Sequence, residues 1–290
     1  DRQMADMLFA AATDHRYIDT GHRLDFTNKA FEALDIVGWE QAELVLSSLV
    51  SGYAGADRME EANEWRYPVD LVALLEAAFD QLDDPLEAGS ASGGEWADRD
   101  GLVALLLGDD PAALIDGMLA ALRAGCAEET LAGVVAYAAA LRIARFHTSN
   151  DFGDWDTALH TFTFANAVHQ GLRRVNSIEL LRGVFDAAMS VYLDRFLNIP
   201  AAKIPQPNGN RGAAEDRLAA LEAMLNQQQQ VNPAGEFVAG YLYSSGDADR
   251  LLAALGRLLL RENRDFHTIQ TVEGAFRQHA LLRGQPEAVH

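Results

Sequence analysis

Apolar residues recur at intervals of three and four along most of the chain, and alternation at every second residue is scarce. The spacing is clear in DLVALLEAAFDQL at 70–82 and in ALIDGMLAALRAG at 113–125. It matches the period of an α-helix that buries one face. Helix-start signals agree with this, because Asp110 is followed by Pro111 and Asp247 precedes an apolar run. The pattern therefore predicts an all-α protein.

Two segments of the chain are close copies, HRLDFTNKAFEAL at 22–34 and HTFTFANAVHQGL at 160–172. Each begins with a histidine and keeps Phe, Asn and Leu at matching positions. A looser third copy, HTIQTVEGAF, begins at His267. Internal similarity of this kind is typical of a duplicated helical unit, and shorter solenoid-type repeats are not evident.

We therefore expect a single helical domain over 1–290, a multi-helix bundle whose two similar halves cover approximately 1–125 and 126–290. Two segments are expected to be loops. The Gly/Ser-rich stretch at 87–101 is predicted to be a plain linker or a flexible surface lid. The Pro-rich stretch at 198–212 is predicted to be an ordered connection that runs across a cavity mouth.

Charge and cysteine content narrow the class of protein. The chain carries 43 acidic and 23 basic residues, a formal charge of -20, so we expect neither a nucleic-acid nor a membrane partner. The most apolar run, at 131–146, contains Arg142 and Arg145 and is shorter than the roughly 20 residues of a membrane span. Cys126 has no second cysteine to pair with, which is typical of a reducing compartment. These features predict a cytoplasmic protein.

The repeated histidines are the main candidates for chemistry. His22, His160 and His267 begin the three copies, and packing alone would not require an imidazole at the same place each time. Histidines from separate helices of a bundle are a common way to hold a metal ion. The alternative is that each is a packed residue that makes one hydrogen bond.

Lys29 is unusual because only Lys29 and Lys203 are lysines in this chain. It lies seven residues after His22, on the same helical stripe, where the other copies have Ala167 and Gly274. A desolvated, uncharged lysine can react with carbon dioxide to give a carbamate, which is an oxygen ligand for a metal. The alternative is a side chain that extends its ammonium to solvent.

Motifs of several enzyme classes are missing from the sequence. It has no di-iron ExxH pairs, no HExxH, no GxSxG and no phosphate-binding or dinucleotide-binding glycine motif. We therefore expect no NAD, flavin or haem. Aromatic residues near the histidines are expected to line a dry substrate cavity. These residues are Phe26, Trp155, Phe162, Phe164 and Phe266.

Three segments carry a resemblance to a known family: HRYIDTGHRLDFTNKAFEALD, FHTSNDFGDWDTALHTFTFANAVHQGL and FHTIQTVEGAFRQ. The chain resembles the questin oxidase-like family of histidine-rich helical proteins, whose related domains are sometimes attached to Rieske domains. The resemblance implies a mononuclear iron site with His22, His160 and His267 as ligands and Lys29 as a carboxylated lysine. It further implies His147 or His15 as a fourth imidazole.

We accordingly predict a metal-dependent oxygenase that uses Fe(II), or another divalent metal, and dioxygen. Its expected substrate is a small aromatic or polycyclic phenol or quinone, which undergoes ring opening or a Baeyer–Villiger-type oxidation. No Rieske cysteines are present, so an electron donor of that type would be a separate partner. Two alternatives remain open: a helical binding or scaffold protein with packed histidines, and a metal-dependent hydrolase.

Overall fold

The computed structural model describes residues 2–93, 96–197, 201–204, 214–244 and 246–290. α-Helices dominate these residues, and none of them lies in a β-strand. The predicted all-α class is therefore confirmed. Within the same residues, no helix combines the length and the apolar content that a membrane span requires.

The chain divides into two compact units. Unit 1 comprises Asp1–Arg142 and Asp156–Leu197, and unit 2 comprises Ile143–Trp155 and Asn198–His290. These units do not coincide with the two halves expected from the repeat, so the duplication stays a prediction.

Unit 1 holds most of the helices. They are α1 (Arg2–Ala12), α2 (His22–Val37), α3 (Ala42–Ser47), α4 (Val50–Ala54), α5 (Leu71–Phe79), α6 (Asp83–Ser92), α7 (Arg99–Leu106), α8 (Pro111–Arg123), α9 (Glu128–Ala144), α10 (Phe152–Arg174) and α11 (Ile178–Leu193). The last residues of α9 and the first of α10 belong to unit 2. Unit 2 also contains α12 (Ala214–Leu225), α13 (Val231–Tyr243), α14 (Ala248–Arg261) and α15 (Phe266–Leu281).

Several helices begin at a polar side chain that accepts a hydrogen bond from the first turn. Asp110 accepts from the amides of Ala112 and Ala113, and Pro111 follows it at the first helical position. Asp247 caps α14 in the same way. Both helix starts were predicted from the sequence and are confirmed.

The middle of α10 forms the centre of unit 1. All residues from 161 to 170 are buried, because small and apolar side chains surround the helix on every side. Polar groups within this stretch include Thr161, Asn166 and His169. His160 immediately precedes the stretch and is 11% exposed, so it lies at the edge of the core.

The prediction of a loop over the whole of 87–101 is wrong. Residues 87–92 continue α6, and α7 begins at Arg99. Gly89 serves helix packing, because a Cβ there would lie 2.1 Å from the carbonyl oxygen of Leu122. Glycine therefore allows α6 to approach the end of α8 more closely than any other residue would.

The connection expected at 198–212 lies mostly outside the described residues. Its described part is 201–204, where the amide of Ala202 donates to the carbonyl of Arg145 at 2.7 Å.

Unit 2 has its own small core, in which Leu221, Tyr241 and Leu251 are almost fully buried.

Candidate metal centre

His22 and His160 face each other within unit 1. Their Nε2 atoms are 2.9 Å apart, and the rings meet edge to face with centroids 4.6 Å apart. His22 is the first residue of α2 and His160 lies on α10. The side chains are 21% and 11% exposed, so solvent access to the pair is restricted. The structure thus brings together two histidines that are 138 residues apart in the chain.

The proton of His160 is fixed by the backbone. Its Nδ1 lies 2.7 Å from the carbonyl oxygen of Asp156, which can only accept a hydrogen bond. The Asp156 carboxylate is 3.7 Å from the same nitrogen. Nδ1 therefore carries the proton and Nε2 presents a lone pair towards His22. Histidines that bind a metal through one ring nitrogen typically donate the other to such an acceptor.

His22 Nδ1 also lies near possible acceptors. The Thr20 hydroxyl oxygen is 3.4 Å away and the Asp19 carboxylate is 3.9 Å away. The separation of 2.9 Å between the two Nε2 atoms fits a hydrogen bond in which His22 Nε2 donates to His160 Nε2, and it also fits a metal ion bound by both nitrogens.

A strained backbone leads into His22. Tyr17, Asp19 and Thr20 adopt φ angles of 50°, 52° and 53°, in the left-handed region that non-glycine residues avoid. Each such residue costs about 1–3 kcal/mol. Gly21 follows with a φ of 86°, and a Cβ there would lie 2.7 Å from the Cβ of Phe164. Strain of this kind persists where the surrounding structure imposes it, and it clusters at functional sites.

Contacts from other elements hold this strained segment, 17–21. The Asp19 amide donates to the carbonyl of Asp57 at 2.8 Å, and the Asp19 carboxylate is ion-paired with Arg23. The Tyr17 ring is buried, edge-on to Phe164 at 5.1 Å between centroids. These contacts position the start of α2, and with it His22, against α10.

A hydrogen bond and an ion pair hold the chain just before this segment. His15 Nδ1 lies 2.6 Å from Glu60 Oε1, and an Arg16 guanidinium nitrogen lies 3.0 Å from Asp186 Oδ1. His15 was one of two candidates for a fourth imidazole ligand. The structure places its Nδ1 on Glu60, and a ligand role for His15 stays a prediction.

Two buried carboxyl groups lie among these elements. Burial raises the pKa of Asp186 to about 7, and the Arg16 guanidinium offsets part of the effect. Burial likewise raises the pKa of Asp194 to about 7, which Thr161 and Arg142 partly offset. Sequence reasoning did not select either residue, because nothing local to an aspartate shows that distant helices will bury it.

Lys29 is engaged in an ion pair on its own helix. Its Nζ lies 2.9 Å from Glu32 Oε2, and Asn28 donates to the other oxygen of the same carboxylate at 3.0 Å. A neighbouring carboxylate favours the charged ammonium over the neutral amine that carbamate formation needs. Carboxylation of Lys29 stays a prediction.

His147 and His267 belong to unit 2. His147 is exposed, and its Nδ1 accepts from the amide of Ser149 at 3.2 Å. His267 lies in the first turn of α15, where its Nδ1 is 3.5 Å from Asp265 Oδ2. Their participation in a metal site with His22 and His160 stays a prediction from the repeat and from the resemblance.

The aromatic residues predicted to line a cavity differ in exposure. Phe162 and Phe164 are buried, whereas Phe26 is partly buried, with its ring 6.0 Å from that of His22. In unit 2, Trp155 packs edge-on to Phe146 at 5.0 Å, and Phe266 is 40% exposed. Phe26 thus lies beside the histidine pair. A substrate role for all of these residues stays a prediction.

Sequence reasoning missed the segment that positions His22. The signal that was present is Gly21, directly before the first histidine, because a glycine at a helix start often marks a left-handed backbone. The roles of Tyr17 and Asp19 could not be read in this way. They depend on Phe164 and Asp57, which are far away in the sequence.

No protein-family model, no curated protein and no solved structure matches it.

Replacing Gly21 by Ala should destabilise the protein by about 2–4 kcal/mol, since the new Cβ meets Phe164 and the left-handed backbone disfavours it. The matched control is Gly284→Ala, which has the same φ of 86° but no heavy atom within 4 Å of the added Cβ. It isolates the backbone contribution, which is about 1 kcal/mol. Urea denaturation compares the two variants. Equal losses of stability would contradict the close approach between Gly21 and α10.

Asp194→Asn should flatten the dependence of stability on pH. The unfolded chain releases the Asp194 proton near pH 4, whereas the folded chain keeps it until about pH 7. Stability therefore falls as pH rises through this interval, by up to about 1.4 kcal/mol per pH unit for one group. The variant removes this contribution and leaves that of Asp186. Urea denaturation at pH 5, 6 and 7 measures the slope, and a slope equal to that of the wild type would count against the assignment.

Proposed function

We propose that this protein is a non-haem, metal-dependent oxygenase whose metal ion, most simply Fe(II), is bound by His22 and His160. The observation that carries the proposal is the pair of facing Nε2 atoms, 2.9 Å apart, each belonging to a ring whose Nδ1 faces an acceptor. Two imidazole nitrogens held at this distance can bind one metal ion when both are unprotonated. Imidazole ligands with further open positions suit Fe(II).

The two nitrogens are close enough to serve as ligands of one ion. Metal–nitrogen bonds of about 2.1 Å would let a single divalent ion contact both His22 Nε2 and His160 Nε2, which lie 2.9 Å apart. The rest of the coordination would come from other side chains, water, dioxygen or substrate.

Other ligands in the proposal come from the sequence and from the family resemblance. His267 supplies a third imidazole, Lys29 a carbamate oxygen, and His147 or His15 a fourth imidazole. For Lys29, a carbamate would have to replace the ion pair with Glu32. This part of the proposal rests on the repeated histidine and on the position of Lys29 seven residues after His22.

Residues of this chain have defined tasks in the proposal. The Asp156 carbonyl and Thr20 orient the two rings, and the strained segment, 17–21, keeps His22 opposite α10. Phe26, beside His22, offers an apolar surface on which a flat aromatic substrate can lie. The bound metal supplies the redox chemistry that lets dioxygen react with an electron-rich phenol or quinone.

The electron balance sets what else the proposed reaction needs. Placing both atoms of dioxygen in the product requires no added electrons. Placing one atom in the product, as in a Baeyer–Villiger-type oxidation, and reducing the other to water requires two electrons. In that second case, the two electrons would come from a separate donor protein of the Rieske type. In either case, the proposal places the protein in the cytoplasm.

The second candidate function is a helical binding or scaffold protein. One observation favours it, because a separation of 2.9 Å also fits a hydrogen bond in which a single proton joins the two imidazoles. The two candidates differ in whether the pair binds a metal.

Purified full-length protein, made with sufficient iron, should contain about one metal ion per chain. His22→Ala and His160→Ala should each lose it, because either change removes one of the two facing ligands. The control is His279→Ala, whose imidazole bonds the carbonyl of Ala288 in unit 2. Elemental analysis provides the measurement. A wild type without metal, or full retention by both variants, would leave only the scaffold function.

Cobalt(II) added to metal-free protein should give visible absorption bands, because imidazole nitrogens of His22 and His160 would bind the ion. His22→Ala and His160→Ala, treated in the same way, should lose most of this absorption, and what remains shows how much cobalt binds elsewhere. Spectra of both variants equal to that of the wild type would contradict metal binding by the pair.

A further inference from the structure

A cavity of about 370 Å³ lies in unit 1. Neither His22 nor His160 is among the residues that line it. It is bounded by α6, by the turn between α8 and α9, and by the end of α10. Apolar side chains on its wall include Leu86, Leu122 and Leu172, and its polar groups include Glu128 and Asn176. The volume is within the range of small-molecule sites, about 300–1,000 Å³.

Backbone features hold this cavity open. Gly89 brings α6 against the carbonyl of Leu122, where any Cβ would collide. Gly125, with a φ of 91°, then turns the chain sharply into α9. Both glycines lie on the cavity wall. The shape is therefore set by rigid helix ends, and a ligand would find it largely preformed.

The charged side chains on the wall of this cavity, Glu128 and Glu129, are both acidic. Glu128 is partly buried, and its Oε2 is inaccessible to solvent and has no hydrogen-bond partner among the described residues. Burial raises the pKa of this carboxyl above its ordinary value. Its neighbour Glu129 is paired with Arg173 at 3.2 Å. A carboxyl group on the cavity wall that is half withdrawn from water is stabilised by a cation bound against its other oxygen, Oε1, which is not enclosed.

We propose that this cavity binds a small organic amine with an apolar body, whose ammonium group donates to Glu128 and whose hydrocarbon part packs on Leu86, Leu122 and Leu172. An amine fits better than an alcohol, because its ammonium group offsets the negative charge of the partly buried Glu128. The formal charge of -20 on the chain also attracts cations and repels anions. The site is independent of the proposed metal centre, since the two share no residue.

Calorimetry on the full-length protein tests the affinity with two probes of nearly equal shape, 2-phenylethylammonium and 2-phenylethanol. We expect the amine to bind at least tenfold more tightly than the alcohol. Glu128→Gln keeps the shape of the side chain and should abolish that difference. Glu129→Gln is the matched control and should preserve it, because Glu129 is engaged by Arg173.

The reactivity of Cys126 tests whether the amine binds in this cavity. It is the only cysteine of the chain, it lines this cavity, and it is 6% exposed. Burial raises its pKa to about 12, so its reaction with methyl methanethiosulfonate should be slow and sensitive to local access. Bound amine should slow the reaction severalfold.

Absence of binding in calorimetry, equal affinities for both probes, or an unchanged preference in Glu128→Gln would each overturn the proposal. Binding of the amine without protection of Cys126 would overturn it as well.

Discussion

The close contact between Gly21 and Phe164 determines where α2 begins. Because Gly21 has no side chain, the left-handed segment, 17–21, can lie directly on α10, and the first residue after it is His22. The same helix carries His160 immediately before its buried middle. One backbone approach thus places two imidazoles face to face, and the ring orientations follow from the carbonyl of Asp156 and the hydroxyl of Thr20.

This arrangement costs free energy, which the rest of unit 1 must offset. Three non-glycine residues have left-handed backbones at about 1–3 kcal/mol each, in a protein class whose net stability is about 5–15 kcal/mol. The segment is held by the buried Tyr17 ring and by the ion pair between Arg16 and Asp186. Strained backbone conformations persist mostly where local geometry matters for function. The strained segment, 17–21, is therefore a reason to treat the histidine pair as the best candidate site.

The two proposed sites differ in their physical basis. At the histidine pair, two imidazole nitrogens from different helices lie 2.9 Å apart, and the proposal places a metal ion on them. At the cavity beside α6, the wall combines leucines with polar groups, and the proposal places an ammonium group on Glu128. Both proposals therefore assign a positive ligand to a strongly acidic chain.

The sequence by itself determined the helices and pointed to the two histidines. Helical periodicity and caps such as Asp110 depend on residues within a few positions, and a repeated histidine stands out where packing would accept leucine. Tertiary structure alone decided the left-handed segment before His22, the burial of Asp194 and the role of Gly89. Each of these depends on groups from helices far along the chain, and their approach is set by packing that no local pattern encodes.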